Sequence, residues 1–397
     1  MWVLCYLCSD FLDVEIILQY IASIPEWQLW LTAVILLLLV IQLSFFLSRY
    51  RVVSSFRNSK RKRHNDYMPD ISIIVITLNN YDFLETTLPL LLTQEYQGLY
   101  EVVIVDIGSD VEYLNMLESI KAQYTNVITT RIDFDPRFPV NNKMALNVGI
   151  KASTFANILI TTSDTTPVSI KWLGLMAKGF FGSEIVLGYC GIEEKKGAAA
   201  KYRRCSRMMF SVRHLSSAIR RKTYRGAIQN IGFTKKKYFD SRGFSHLNMN
   251  IGEDDLFIQK IATTDNVSIV LNPNATVRQK AVDGPTWRLL RLFYSYSVEF
   301  YPAGVRFFNA CEFISRVLFF ALSIAGVILL SQHLSVAAAV LLFVRFIIVW
   351  LVMQRIARRL GEMRLGAIFI LHDICSPFNE LALYISRKVR KLQGVWR

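Results

Sequence analysis

From Trp27 to Leu47 the chain reads WQLWLTAVILLLLVIQLSFFL, without one Lys, Arg, Asp or Glu. A helix needs about 20 apolar residues to cross a bilayer core, and this run supplies them. Backbone amides cannot stay unpaired in lipid, so such a run has to be helical. A cleaved signal peptide fits poorly: no basic residue precedes the run, no small-residue cleavage site follows, and the run is too long. Of the 397 residues, 52% are apolar and 19% charged. Soluble domains run at about 45–50% and about 25%, which excludes a wholly soluble protein. Disorder is excluded by the same hydrophobicity.

The flanking charges set an orientation. Residues 1–26 carry Asp10, Asp13, Glu15 and Glu26 and no Lys or Arg, whereas Arg49, Arg51, Arg57, Lys60, Arg61, Lys62 and Arg63 follow the run. Basic flanks stay in the cytoplasm. Residues 1–26 are therefore expected outside, 27–48 as the first span and 49–69 as a basic cytoplasmic linker. A second apolar zone, 314–332 and 335–353, is broken near Ser331 and reads as a helical hairpin. Arg345 lies inside its second arm, where an arginine costs about 2.5–3.5 kcal/mol. Either Glu312 offsets that cost or the side chain snorkels. Leu365–Ile385 is apolar but includes His372, Asp373, Pro377, Asn379 and Glu380. Spanning there would put a basic tail outside, so 354–397 is expected as a cytoplasmic interfacial helix and tail. Three spans are expected in total.

Net charge is +15. Basic runs at 49–63 and 387–397 are expected on anionic headgroups, at about 1 kcal/mol per residue. No nucleic-acid motif accompanies them, so no nucleic-acid partner is expected. Lys195–Arg225 is different: Lys201, Arg203, Arg204, Arg207, Arg213, Arg220, Arg221, Lys222 and Arg225 lie far from any span. This run is expected to meet lipid headgroups or a phosphate-rich acceptor. Six cysteines in a chain this long make no disulfide framework. Cys5 and Cys8 lack the second ligand pair of a zinc site. Cys190, Cys205, Cys311 and Cys375 read as reduced.

Between the spans, short β-branched runs alternate with helical spacing. Ile71–Thr77, Tyr100–Asp106, Val127–Arg131 and Asn157–Thr162 read as strands; Tyr81–Gln94, Val111–Tyr124 and Asn141–Ala152 read as helices. Continuous apolar strands of this kind belong to an α/β fold whose mainly parallel sheet is covered on both faces. Ligands bind at the carboxyl ends of such strands, where Asp106 and Asp164 fall. No G-x-G-x-x-G or G-x-x-x-x-G-K-[ST] is present, which disfavours dinucleotide and P-loop sites. Carboxylates at strand ends suit a divalent metal with a nucleotide diphosphate.

The ordered segments ISIIVITLNN, EVVIVDIGSD, NNKMALNVGIKAS, ILITTSDTTPVSIKWL and GEDDLFIQKIA resemble the membrane-anchored family 2 glycosyltransferases, bacterial type, with one N-terminal and two C-terminal transmembrane helices. The resemblance covers roughly residues 70–290. It implies a GT-A (nucleotide-diphospho-sugar transferase) αβα sandwich there, with 291–313 an interfacial segment. It further implies inverting transfer from a nucleotide-sugar donor, with Mg²⁺ or Mn²⁺, at the cytoplasmic face of a bacterial inner or plasma membrane. The acceptor would be a lipid-linked glycan or polysaccharide precursor.

Roles follow motif by motif. Thr77 and Asn79 would pack around the base, Asp106 would hydrogen-bond it, and Lys143 would lie beside the donor. Asp164 would hold the metal. Thr162 stands where such enzymes usually carry the first carboxylate of an Asp-x-Asp motif. Asp254, in Glu253-Asp254, would be the catalytic base, with Asp255 the fallback. A helix N-terminus also favours these acids structurally. Trp287, Arg288 and Arg291 match the acceptor and diphosphate segment loosely. Two other readings stay open: a scaffold that has lost turnover, suggested by Thr162, and a processive synthase, for which three spans are few.

Overall fold

The computed structural model describes residues 24–57, 67–133, 141–245 and 252–389. Cys5, Cys8, Asp10, Asp13, Glu15 and Lys60–Arg63 lie outside the described residues. Glu26–Ser44 forms helix α1. The α/β domain then runs β1 (Ile71–Thr77), β2 (Tyr100–Asp106), α2 (Val111–Gln123), β3 (Val127–Arg131), α3 (Asn142–Ala152), β4 (Asn157–Thr162), β5 (Thr165–Pro167), β6 (Ile185–Gly188), β7 (Cys190–Ile192), α4 (Ala198–Ile219), β8 (Ile231–Thr234), α5 (Leu256–Ile261), β9 (Val267–Val270), β10 (Val277–Gln279) and α6 (Gly284–Tyr296). Three long helices follow: α7 (Ala303–Leu329), α8 (Gln332–Arg359) and α9 (Ile368–Val389).

The main sheet has seven strands in the order β3-β2-β1-β4-β8-β6-β9. Only β8 runs against the rest. A small sheet, β5-β10-β7, stands beside it. The expected mainly parallel α/β sheet is the one observed. Its central strands are mostly apolar because both faces are covered, and the buried pair Ser72 and Glu101 bond each other. Ile73, Val75, Val102 and Ile104 join Tyr113 and Leu117 of α2 in one cluster. On the opposite face Gly149 of α3 lies against Ile74 and Val105. Side-chain caps start both helices: Asp110 accepts from the Tyr113 amide and Asn141 from the Met144 amide.

Gly149 gives a test of this packing. Gly→Ala inside a helix ordinarily gains about 0.5–1 kcal/mol. Here a Cβ would lie 2.8 Å from both Ile74 Cγ2 and Val105 Cγ2. Overpacking of that kind costs about 1–3 kcal/mol, so the clash wins. Gly149→Ala is expected to lower the thermal unfolding midpoint of the detergent-solubilised chain. A rise would show that α3 is free to lift off the sheet.

The chain divides into two compact units. The first holds the described residues up to Ser48 together with Phe308–Leu351. In it α1, α7 and α8 meet through Ile35, Leu38, Leu39, Phe319 and Ala338. The hairpin turn between α7 and α8 is Leu330 and Ser331. Arg345 is fully buried. It donates to Gln42 Oε1 at 2.9 Å and lies 4.7 Å from the centre of the Phe320 ring. Glu312 pairs with Arg316 one turn along. Polar groups inside this set of apolar helices are thus tied to one another by an ion pair, an amide hydrogen bond and a cation–π contact.

Among the described residues four helices are long and apolar enough to cross a membrane, one more than the three expected. The fourth is α9, which was expected as an interfacial helix. It belongs to the second unit, Arg49–Phe307 with Val352–Arg397. The polar residues that made it doubtful as a span are its ties to the α/β domain. Asn379 Nδ2 donates to Tyr202 OH at 2.6 Å, Glu380 pairs with Arg213 at 2.8 Å, and Arg387 Nη1 donates to the Ser295 carbonyl at 2.8 Å. Leu371, Ile374, Phe378, Leu381 and Ile385 are exposed on its other side.

Candidate active site

The carboxyl ends of β2, β1 and β4 lie side by side, with Thr77 opposite Asp106 and Ile76 opposite Thr162. Strand order turns back at β1 and β4, which opens a crevice at this rim. Asp106 is buried, and its carboxylate accepts from the Ser109 amide at 3.1 Å and the Gly108 amide at 3.3 Å. Gly108 permits this turn at φ 98°. Asn79 joins the two neighbouring turns: its amide donates to Ser109 Oγ at 2.8 Å, and its side-chain oxygen accepts from the Asp110 amide at 2.9 Å. Thr77 bonds Tyr113 OH. The Asp110 cap accounts for the helix start, so Asp106 is not needed for that purpose.

Asp164 follows β4 and is partly exposed. Thr162, in the place of the usual first carboxylate, donates its hydroxyl to Asp164 Oδ1, as Thr165 does at 3.2 Å. Gln279, at the end of β10, donates to Asp164 Oδ2 at 2.7 Å. Asp164 is therefore held in place by neutral groups. Among the described residues no group of three or more His, Cys, Asp or Glu side chains could hold a metal ion. Mg²⁺ commonly takes one or two carboxylates and completes its shell with substrate phosphates and water. The residues here fit such a shared site, with Asp164 as the carboxylate, and do not fit a cage built from protein alone.

The third cluster is Glu253-Asp254-Asp255. Asp255 caps α5, accepting from the Leu256 amide at 2.7 Å. Its other oxygen accepts from Tyr301 OH at 2.8 Å and from Ser297. Arg225 bridges both aspartates, with Nη2 3.0 Å from Asp254 Oδ2 and Nη1 3.4 Å from Asp255 Oδ2. The guanidinium lies between the rings of Phe210 and Tyr294, 4.4 and 4.6 Å from their centres. The Asp254 side chain keeps 7% exposure against 2% for Asp255. Asp254 lines a cavity of about 230 Å³ together with Asn142, Glu253, Leu290, Phe293 and Tyr294. Glu253 Oε1 accepts from Asn142 Nδ2 at 3.3 Å, while Oε2 is buried without a partner among the described residues. Burial, and then the charge of Asp254, push the Glu253 carboxyl up to about 7. Burial also raises Asp254, against the lowering pull of Arg225.

Asn142 opens α3, which follows β3 and so begins at the strand-end rim. Its bond to Glu253 brings the α5 acids to that side of the sheet. Lys143 is next in the same first turn and is buried. Trp287, Arg288 and Arg291 lie on α6, Trp287 half-buried and Arg288 exposed. The α6 residues that line the cavity are Leu290, Phe293 and Tyr294, one turn on. Asp106 and Asp164 do not line that cavity.

The basic run corrects one expectation. Arg204, Arg207 and Arg225 are buried and face no lipid or solvent. Arg204 pairs with Glu362 at 2.8 Å, and Arg207 donates to Gln229 Oε1 at 2.8 Å. Spacing of three along α4 turns Arg204 and Arg207 to the domain interior. Arg220, Arg221 and Lys222 remain exposed. Asn142 carries no signal in the sequence, and Arg225 stands there only as one charge of the basic run.

No family model matches the chain, and no curated protein matches it. Among solved structures it is similar to the mannosyltransferase PcManGT from Pyrobaculum calidifontis, in complex with GDP-Man and Mn²⁺. That likeness has TM-score 0.51 and 16% identity, over 88% of this chain and 99% of that one. GalNAc-T7 with UDP, GalNAc and Mn²⁺ matches with TM-score 0.40 and 13% identity, over 54% of this chain and 44% of that one. The first likeness shows the fold: a GT-A-like glycosyltransferase α/β fold.

Proposed function

We propose that the chain is an inverting glycosyltransferase of the family 2 type, moving a sugar from a nucleotide-diphosphate donor to a membrane-associated acceptor at the cytoplasmic face. The observation that carries this reading is Asp254. It is an acid on a cavity wall, oriented by Arg225 and brought to the strand-end rim through Glu253 and Asn142. A group in that position suits a general base.

In this mechanism Asp254 takes the proton from the acceptor hydroxyl. The new bond forms between that oxygen and the anomeric carbon as the bond from that carbon to the diphosphate breaks. The configuration inverts, and the leaving group departs as nucleoside diphosphate. Thr77, Asn79 and Asp106 hold the base, and Lys143 and Thr162 lie along the donor. Asp164 would hold Mg²⁺ or Mn²⁺, which when bound stabilises the charge on the leaving diphosphate. Leu290, Phe293 and Tyr294 offer the acceptor an apolar wall, which suits a lipid-linked substrate. The packing of α9 supports its lying at the membrane surface, polar side on the domain and apolar side toward lipid. On that reading α1, α7 and α8 are the three spans, with the N-terminus outside.

The scaffold reading keeps one supporting observation, the neutral Thr162 beside a lone Asp164. Thermal unfolding of the detergent-solubilised full chain, with Mn²⁺ and a panel of GDP- and UDP-sugars, separates the two. A donor at about 100 times its Kd adds about 2.7 kcal/mol, so one of the panel is expected to raise the midpoint by several degrees in a Mn²⁺-dependent way. If none does, with or without metal, the scaffold reading replaces the enzyme.

A further inference from the structure

We propose that Arg51, Arg355, Arg358 and Arg359 form a second binding site, for a dianionic phosphate group carried on a lipid. An open depression of about 600 Å³ is lined by these residues with Ser54 and Ser55. Binding pockets are typically about 300–1,000 Å³. The two contributing segments lie about 300 residues apart and are joined where Arg359 Nη2 donates to the Phe56 carbonyl at 3.1 Å. No acid lines the depression, and none of these arginines has an acidic partner within salt-bridge distance among the described residues. Arg359 Nε is buried without an acceptor among the described residues. Four guanidinium groups converging on one depression repel each other unless an anion lies between them. Planar guanidinium forks suit phosphate oxygens.

General attraction of basic flanks to a membrane does not require this arrangement. Scattered arginines would point apart, whereas these line one depression from two segments. The lipid source follows from where they sit in the chain. Arg51 lies near the end of the helical stretch Glu26–Ser55, and Arg355, Arg358 and Arg359 end Gln332–Arg359; both stretches are long and apolar enough to cross a membrane. A dianion matches this charge better than the single charge of a phosphodiester. This site is separate from the acids of the candidate active site and does not rest on the transferase reading.

The test is direct binding to the purified full chain in detergent, at fixed ionic strength, by native mass spectrometry. The probes are dioctanoyl phosphatidic acid, dioctanoyl phosphatidylglycerol and inorganic pyrophosphate. Phosphatidic acid is expected to bind at least about tenfold more tightly than phosphatidylglycerol. The double variant Arg355→Gln/Arg358→Gln is expected to lose that preference while keeping its unfolding midpoint, because both side chains are exposed. Arg358→Lys, which keeps the charge but not the fork, is expected to fall between them. Binding of pyrophosphate in competition with phosphatidic acid would support a site that reads the phosphate group itself. Pyrophosphate binding without phosphatidic acid binding would overturn the lipid source. Equal binding of both lipids, or a preference that survives the double variant, would overturn the site.

Discussion

Asp254→Asn is expected to lower the rate of sugar transfer by about 10²–10⁴-fold, the usual contribution of a general base. The donor-dependent rise in unfolding midpoint should persist, because the change leaves the β1, β2 and β4 rim intact. Initial rates with the donor found by the screen are the measurement. Transfer that survives within about threefold would remove Asp254 from the role. Glu253→Gln supplies the companion experiment. The Glu253 carboxyl is held near 7 by burial and by Asp254, above its ordinary value of 4.5. The folded chain therefore keeps a proton there that the unfolded chain has already released. Its stabilising effect is complete below the unfolded value and is lost as pH rises through the folded one. The gap corresponds to about 3 kcal/mol. Glu253→Gln should thus gain stability relative to the parent chain between about pH 5 and about pH 8. An inflection near neutrality in the parent's rate–pH profile should also disappear. A flat difference in stability across that range would mean that Glu253 is not protonated in the folded state.

Why these acids had to be found in two steps is a matter of distance along the chain. The central strands were legible because they are buried on both faces, so Tyr100–Asp106 and Asn157–Thr162 read as short, mostly apolar β-branched runs and were observed with those limits. Asp106 and Asp164 could then be placed at strand ends by counting. Partners contributed by remote segments leave no such trace. Arg204 was read with the basic run because no acid stands in α4; Glu194 lies 3.6 Å from it, but the closer partner, Glu362 at 2.8 Å, is 158 residues away. Arg225 was grouped with the same basic run, yet it is 29 residues from Asp254 and enclosed by two rings. The polar residues of α9 had the opposite effect. Asn379 and Glu380 argued against a span from composition alone; in the fold they bond Tyr202 and Arg213, partners that composition does not show.

Arg225→Leu is expected to cost about 3–5 kcal/mol of folding stability near pH 8, because it leaves Asp254 and Asp255 buried without their cation. For a domain of this size that is a drop of roughly 10 °C in unfolding midpoint. Leucine fills much of the space between Phe210 and Tyr294, so the loss is dominated by charge. The pH dependence tests that attribution. Without Arg225 the largest pull against burial is gone, and the Asp254 carboxyl is pushed further above its unfolded value. The deficit should then be full above that raised value and shrink as pH falls and Asp254 binds a proton. A deficit that is the same at about pH 5 and about pH 8 would assign Arg225 a packing role instead. Arg225→Lys sharpens the distinction: it restores a charge but neither the two-pronged contact nor the flat stack between the rings. If orientation of Asp254 is what Arg225 contributes to transfer, the lysine variant should recover most of the stability and little of kcat. If charge alone suffices, it should recover both.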